Sequence, residues 1–173
     1  MELIDIEQAR RYYEGADAIH DFDHVLRVLA LAERLAREEG ADLEIVRAAT
    51  LLHDVARGQG DRLSANHAHA GAEFAREVLA GQPPEKVEAV AHAVAAHRFR
   101  SGPDPLTPEA RVLHDADKLD AIGAIGVARA FAFGGYEGQR LWADVPAGYR
   151  ESQATRHEHT PVHEYQIKLS KIK

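Results

Sequence analysis

The chain has 173 residues, room for one ordinary domain with a sizeable core, and its 45% hydrophobic content excludes wholesale disorder. Its formal net charge of −7 (21 Lys+Arg against 28 Asp+Glu) argues against a nucleic-acid polymer as partner, since phosphate backbones attract clustered positive charge. A small phosphorylated substrate, which needs only a few local cations, stays open.

Cysteine is absent, which excludes disulfides, thiolate metal sites and thiol nucleophiles. The 11 histidines point to nitrogen and oxygen ligands for any bound metal, although each one alone reads better as a surface residue. The opening segment MELIDIEQARRYYEG has neither an apolar signal core nor a cleavage site. No apolar run approaches the roughly 20 residues that cross a bilayer, so a cytoplasmic protein without membrane contact is expected.

Residues 2–14 form a short helical candidate. Residues 22–39 carry Val25, Leu26, Val28, Leu29, Leu31, Ala32 and Leu35 at three- and four-residue spacing and end at Gly40. Asp42 is placed to cap a helix from Leu43 to about Arg57, stopping at Gly58. Ser64 is placed to cap residues 65–80, and Pro83-Pro84 opens a helix over 84–98. Residues 101–108 read as a loop, after which Thr107 and Pro108 start a helix that contains Asp117 and continues towards Phe133. Residues 134–160 read as a long excursion, and Pro161 opens a last helix, VHEYQIKLSKIK, which stops at Lys173. No segment alternates as a strand would. The expected fold is all-α, a compact multi-helix bundle forming one domain over residues 1–173.

Three segments carry polar groups where the pattern demands burial. In Ala48-Ala49-Thr50-Leu51-Leu52-His53-Asp54-Val55-Ala56 a histidine and an aspartate interrupt an apolar stretch. A buried carboxylate without a partner is costly, so the pair needs a salt bridge, a structural hydrogen bond or a cation. In His20-Asp21-Phe22-Asp23-His24-Val25, Asp21 suits a helix N-cap and His24 faces apolar neighbours, either as a core histidine or as a ligand. His20 shares its face only if the helix begins early. In His114-Asp115-Ala116-Asp117-Lys118-Leu119-Asp120, Asp117 and Asp120 share a helix face, and Lys118 either neutralises a neighbour or contacts a phosphate.

The order H…HD…D on three helices, carried by HDFDHVLRV, LLHDVA and DADKLDAIGAIG, resembles the HD-domain superfamily of metal-dependent phosphohydrolases. HAHAG at 67–71, HRF at 97–99 and the HEYQIKLSKIK tail resemble its small, single-domain bacterial members, so the likeness covers most of residues 20–173. The resemblance implies an HD-domain-like bundle in which His24, His53, Asp54 and Asp117 ligate a divalent metal. It gives His67 and His97 either a second metal or the substrate phosphates, while His69 and His92 read as incidental.

Two imidazoles and two carboxylates without sulfur suit Mn, Fe, Co or Ni better than Mg or a closed Zn site. A cation so held lowers the pKa of its water from ~15.7 towards ~7 and acts as a Lewis acid. Among the nearby cations Arg27, Arg57, Arg98, Arg100 and Lys118, each ordinary surface charge when taken alone, Arg98 and Lys118 are the candidates for phosphate contact. Asp21 and Asp120 are the candidate general acid or base. The expected activity is hydrolysis of a (deoxy)nucleoside triphosphate to the monophosphate and pyrophosphate, the substrate resting on the resemblance. A phosphomonoesterase or cyclic-nucleotide phosphodiesterase, and a non-catalytic nucleotide- or metal-binding module, are the alternatives. A homodimer is compatible with the sequence.

Overall fold

Side-chain caps fix most helix starts. The computed structural model describes residues 2–15, 21–58, 67–98, 102–150 and 158–172. Among the described residues it contains eight α-helices and no strand: α1 (Ile6–Arg11), α2 (Phe22–Glu39), α3 (Leu43–Leu52), α4 (His67–Val78), α5 (Pro84–Ala96), α6 (Pro108–Asp120), α7 (Gly123–Tyr136) and α8 (Pro161–Ile167). Asp21 Oδ1 accepts the His24 N–H at 3.1 Å and starts α2. Asp42 Oδ1 accepts the Glu44 and Ile45 amides at the head of α3, and Thr107 Oγ1 accepts the Ala110 amide at the head of α6. Gly40 ends α2 in the left-handed region at φ 68, where a side chain would be strained.

The residues fall into two compact units, Met1–Leu119 and Asp120–Lys173. In the first, α3 lies between α2 and α5, and α4 lies along α5. The interior is formed by Val25, Val28, Leu29 and Ala32 of α2, Val46, Ala49, Leu51 and Leu52 of α3, Ala72 and Ala75 of α4, and Val90, Ala91 and Val94 of α5. Burying a Val or Leu side chain contributes about 1.5–3 kcal/mol, and the many alanines let the helix axes approach closely. At Gly71 a Cβ would lie 3.2 Å from Val94 Cγ1 and 3.5 Å from the His53 carbonyl oxygen. The missing side chain therefore lets α4 pass against the end of α3.

In the second unit α7 packs against α8, and Thr160 Oγ1 caps α8 by accepting the His163 amide. No helix among the described residues is long and apolar enough to cross a membrane.

Several boundaries differ from the sequence reading. The first helix covers only Ile6–Arg11, and α5 stops at Ala96 with His97 as its C-cap. The helix from Leu43 ends at Leu52 instead of Arg57, and a 3-10 turn, Val55–Gly58, follows. The reason is local: His53 Nδ1 donates to the Thr50 carbonyl at 2.7 Å, the group that the Asp54 amide needs to continue the helix. α4 spans His67–Val78, and its expected cap, Ser64, lies outside the described residues. The expected helix from Pro108 to Phe133 is two helices, because the chain turns at Ala121-Ile122 and Gly123 takes φ 68. α7 continues to Tyr136, into what was read as an excursion. The last helix stops at Ile167, where Lys168 leaves helical geometry and a 3-10 turn, Leu169–Lys171, follows.

Candidate metal centre

Six of the residues singled out above meet inside the first unit. His24, His53 and Asp117 form one group, and Asp54, His67 and His97 form another, with the ligand-type atoms of each group within 4.8 Å of one another. Among these, His53 is fully buried, and His24, Asp54, His67 and His97 are nearly so. Asp117 is the most open, its side chain 21% exposed.

Asp54 joins the two groups. Its Oδ2 lies 3.7 Å from His53 Nε2 and 3.8 Å from His24 Nε2. Its Oδ1 lies 3.5 Å from His97 Nε2 and 3.9 Å from His67 Nε2. The circuit closes at His24 Nε2 and Asp117 Oδ1, 3.5 Å apart. Two donors each about 2.1 Å from one ion are about 3.4 Å apart at the tetrahedral angle and about 3.0 Å apart at a right angle. The observed separations are thus long for hydrogen bonds and close to those of ligands awaiting a common cation.

The ring tautomers agree with that use. His53 Nδ1 donates to the Thr50 carbonyl, and His97 Nδ1 donates to the Val94 carbonyl at 2.6 Å. A carbonyl only accepts, so each Nδ1 carries a proton, and in the neutral tautomer this fixes, Nε2 is the nitrogen with the lone pair. The Nε2 atoms of His53 and His97 are buried without a hydrogen-bond partner, a condition proteins avoid unless something is bound there. The residues fit a divalent cation.

The charges are set for it as well. Burial pushes the His53 pKa down to about 4, against the pull of the Asp54 carboxylate, so the ring is neutral at pH 7. Burial alone would raise the Asp54 pKa, but the Arg57 guanidinium and then His53 hold it well below the usual carboxylate range. At Asp117 burial is likewise outweighed, chiefly by the Lys118 ammonium, and its carboxyl is held well below the usual range. Neutral imidazoles and ionised carboxylates are the states that ligate metals.

The other candidates take varied positions. Lys118 is buried; its Nζ donates to Asp117 Oδ2 at 2.9 Å and to the His97 carbonyl, tying α6 to the end of α5. Asp21 caps α2, as described. Asp120, in the second unit, is buried and accepts from Arg129 Nη1 at 2.9 Å. Arg98 is half-buried directly after His97. His69 is exposed, and His92 Nε2 accepts the Leu106 amide. His20 and Arg100 lie outside the described residues.

Sequence reading missed the role of Arg57, taken alone as a surface charge. Its Nε donates to Asp54 Oδ1 at 2.6 Å. The three-residue spacing from Asp54 was the available signal. Tyr13 was also passed over; it is buried, and its hydroxyl donates to the Leu51 carbonyl at 3.1 Å.

The HD domain family profile matches residues 21–122, spanning every residue of both groups. The chain belongs to the HD-domain family. YpgQ of Bacillus subtilis, itself uncharacterised, is 36% identical over 86% of this chain and 75% of its own length. Its crystal structure in complex with ADP superposes with a TM-score of 0.67 at 31% identity, covering 95% of this chain and 79% of YpgQ. A crystal structure from Lactobacillus plantarum gives a TM-score of 0.75 at 32% identity, covering 96% of this chain and 79% of that one. A predicted HD superfamily hydrolase from an uncultured Thermotogales bacterium gives 0.62 at 34% identity, covering 74% of this chain and 72% of that one. This HD-domain chain is an all-α hydrolase of the metal-dependent phosphohydrolase type, with a His/Asp cluster able to hold a metal.

Proposed function

We propose that this HD-domain protein hydrolyses nucleotides, cleaving a (deoxy)nucleoside triphosphate to the monophosphate and pyrophosphate. One observation carries the reading: His24, His53 and Asp117 converge from α2, the end of α3 and α6, with Asp54 Oδ2 lying 3.8 Å and 3.7 Å from the two imidazoles. The complex of YpgQ with ADP supports a nucleotide as the substrate class.

His24, His53, Asp54 and Asp117 hold the divalent ion, and their mixed nitrogen and oxygen atoms favour Mn, Fe, Co or Ni over Mg or Zn. When bound, the ion supplies Lewis acidity and a lower pKa for water. The rest falls to side chains. His67, His97, Arg98 and Lys118 face the phosphates, where positive charge and N–H donors offset the charge that builds on phosphoryl oxygens. Asp21 and Asp120 are the carboxylates proposed to take the proton of the attacking water or give one to the leaving oxygen. Water adds to the α-phosphorus, the α–β bridging P–O bond breaks, and pyrophosphate leaves with the bridging oxygen.

The protein acts on free nucleotides and not on nucleic-acid polymers or membranes, which its net charge of −7 favours, and works in the cytoplasm. Product analysis with Mn and a nucleotide panel tests the reading. Pyrophosphate plus monophosphate is expected, and Asp54→Ala abolishes both bound metal and turnover. Orthophosphate or a ring-opened monophosphate as sole product would replace it with a monoesterase or cyclic-nucleotide phosphodiesterase. Tight nucleotide binding without turnover under any metal would leave only a binding module.

A further inference from the structure

We propose that the Arg57 guanidinium takes the place of a second cation, so that the centre holds one divalent ion and not two. The inference rests on the metal-dependent reading above and concerns the other half of the cluster. Asp54 turns Oδ2 towards His24 and His53 and turns Oδ1 towards His67 and His97. Residue types alone would allow an ion in each half, bridged by this carboxylate. However, Oδ1 already accepts Arg57 Nε at 2.6 Å, much its shortest polar contact.

The backbone makes that contact durable. Arg57 lies on the 3-10 turn Val55–Gly58, and its amide donates to the Asp54 carbonyl at 3.0 Å, closing the loop that folds the arginine back over the aspartate. An ion ligated by Oδ1 would sit about 2.1 Å from that oxygen, hence within about 5 Å of the guanidinium. A fixed cation this close to a poorly hydrated pocket repels another strongly. The first group has no comparable obstacle at Asp54 Oδ2 and gains Asp117, whose other oxygen is the one that Lys118 holds. Arg57 thereby keeps Asp54 ionised for a single ion and assigns His67 and His97 to the phosphate side of the reaction.

Metal stoichiometry decides the matter without any activity assay. Chelator-stripped protein is titrated with Mn(II), free ion is counted by EPR, and the bound signal is recorded for the parent, Arg57→Ala and Arg57→Lys. The parent is expected to bind one equivalent with the hyperfine pattern of isolated Mn(II). Arg57→Ala gains a second equivalent, at least roughly tenfold tighter than any second binding by the parent, and shows a spin-coupled pair. Arg57→Lys, which keeps the charge, stays at one. Two equivalents of similar affinity and a coupled signal in the parent would overturn the proposal while leaving the metal-dependent reading intact. A folded Arg57→Ala variant that stays at one equivalent would also overturn it. A parent that binds no metal overturns both. If Arg57→Ala does not fold, the parent count and its spectrum still decide between one ion and two.

Discussion

His24 Nε2 and Asp117 Oδ1 lie 3.5 Å apart although one opens α2 and the other sits near the end of α6. Nothing in the core requires an imidazole and a carboxylate there, and apolar residues of similar volume would pack without desolvating charge. On the reading proposed above, a shared cation accounts for their meeting. His24→Ala and Asp117→Ala should each lower Mn affinity by about hundredfold or more, since even outer-sphere changes at metal sites cost about 10–100-fold. Calorimetric titration of stripped protein checks this. Unchanged affinity in both variants would show that the contact is structural.

The position of Lys118 separates two readings that its sequence context left open. Its ammonium holds Asp117 Oδ2 and the His97 carbonyl, and an ammonium has three donors, so one remains for a phosphate. If positioning dominates, Lys118→Met lowers Mn affinity by about 10–100-fold, and Lys118→Arg recovers part of it. If phosphate contact dominates, metal affinity holds and KM rises. Metal titration and steady-state kinetics on the same preparations distinguish the outcomes.

Helix starts and the identity of the clustered residues were legible in the sequence, because capping and burial are local consequences of residue type. Asp21, Asp42 and Thr107 cap the helices they were expected to cap, and Gly40 ends α2 as expected. The break after Leu52 was not legible. It depends on an imidazole competing for a backbone carbonyl, and the apolar pattern runs straight through it. Arg57 was misjudged for a different reason: its three-residue spacing allows a contact with Asp54, but only the fold shows that the aspartate is buried and needs one. The turn before Gly123 escaped notice because neither Ala121 nor Ile122 is a helix breaker.

The buried state of His53 makes the metal-free protein acid-sensitive. Its folded pKa of about 4 lies below the ordinary 6.5, so the unfolded chain binds more protons between those values. Stability is complete above pH 6.5 and falls as pH drops towards 4, by about 3 kcal/mol from this group. Asp54 and Asp117, also depressed, extend the loss below the ordinary carboxylate range. Urea unfolding of chelator-treated protein from pH 7 to 4 should show the fall, and His53→Gln should flatten it. Parallel curves for parent and variant would mean that His53 is protonated in the fold.

Gly71 ties helix packing to the centre. A Cβ there would press Val94 Cγ1 at 3.2 Å and approach the His53 carbonyl at 3.5 Å, so α4 sits about as close to α3 and α5 as glycine permits. Gly71→Ala sets a helix-propensity gain of about 1 kcal/mol against a small displacement of Val94, a side chain that can give. Its Tm should stay near that of the parent. Gly71→Leu has no such escape: overpacking costs about 1–3 kcal/mol and pushes α4 away from the carbonyl of His53. His67, the first residue of α4, moves with it. The leucine variant should therefore lose thermal stability and hydrolysis together while the Mn count attributed to His24, His53, Asp54 and Asp117 persists. Differential scanning calorimetry with metal analysis tests the pairing. Loss of the metal along with the stability would show that α4 supports the whole centre and not only its phosphate side.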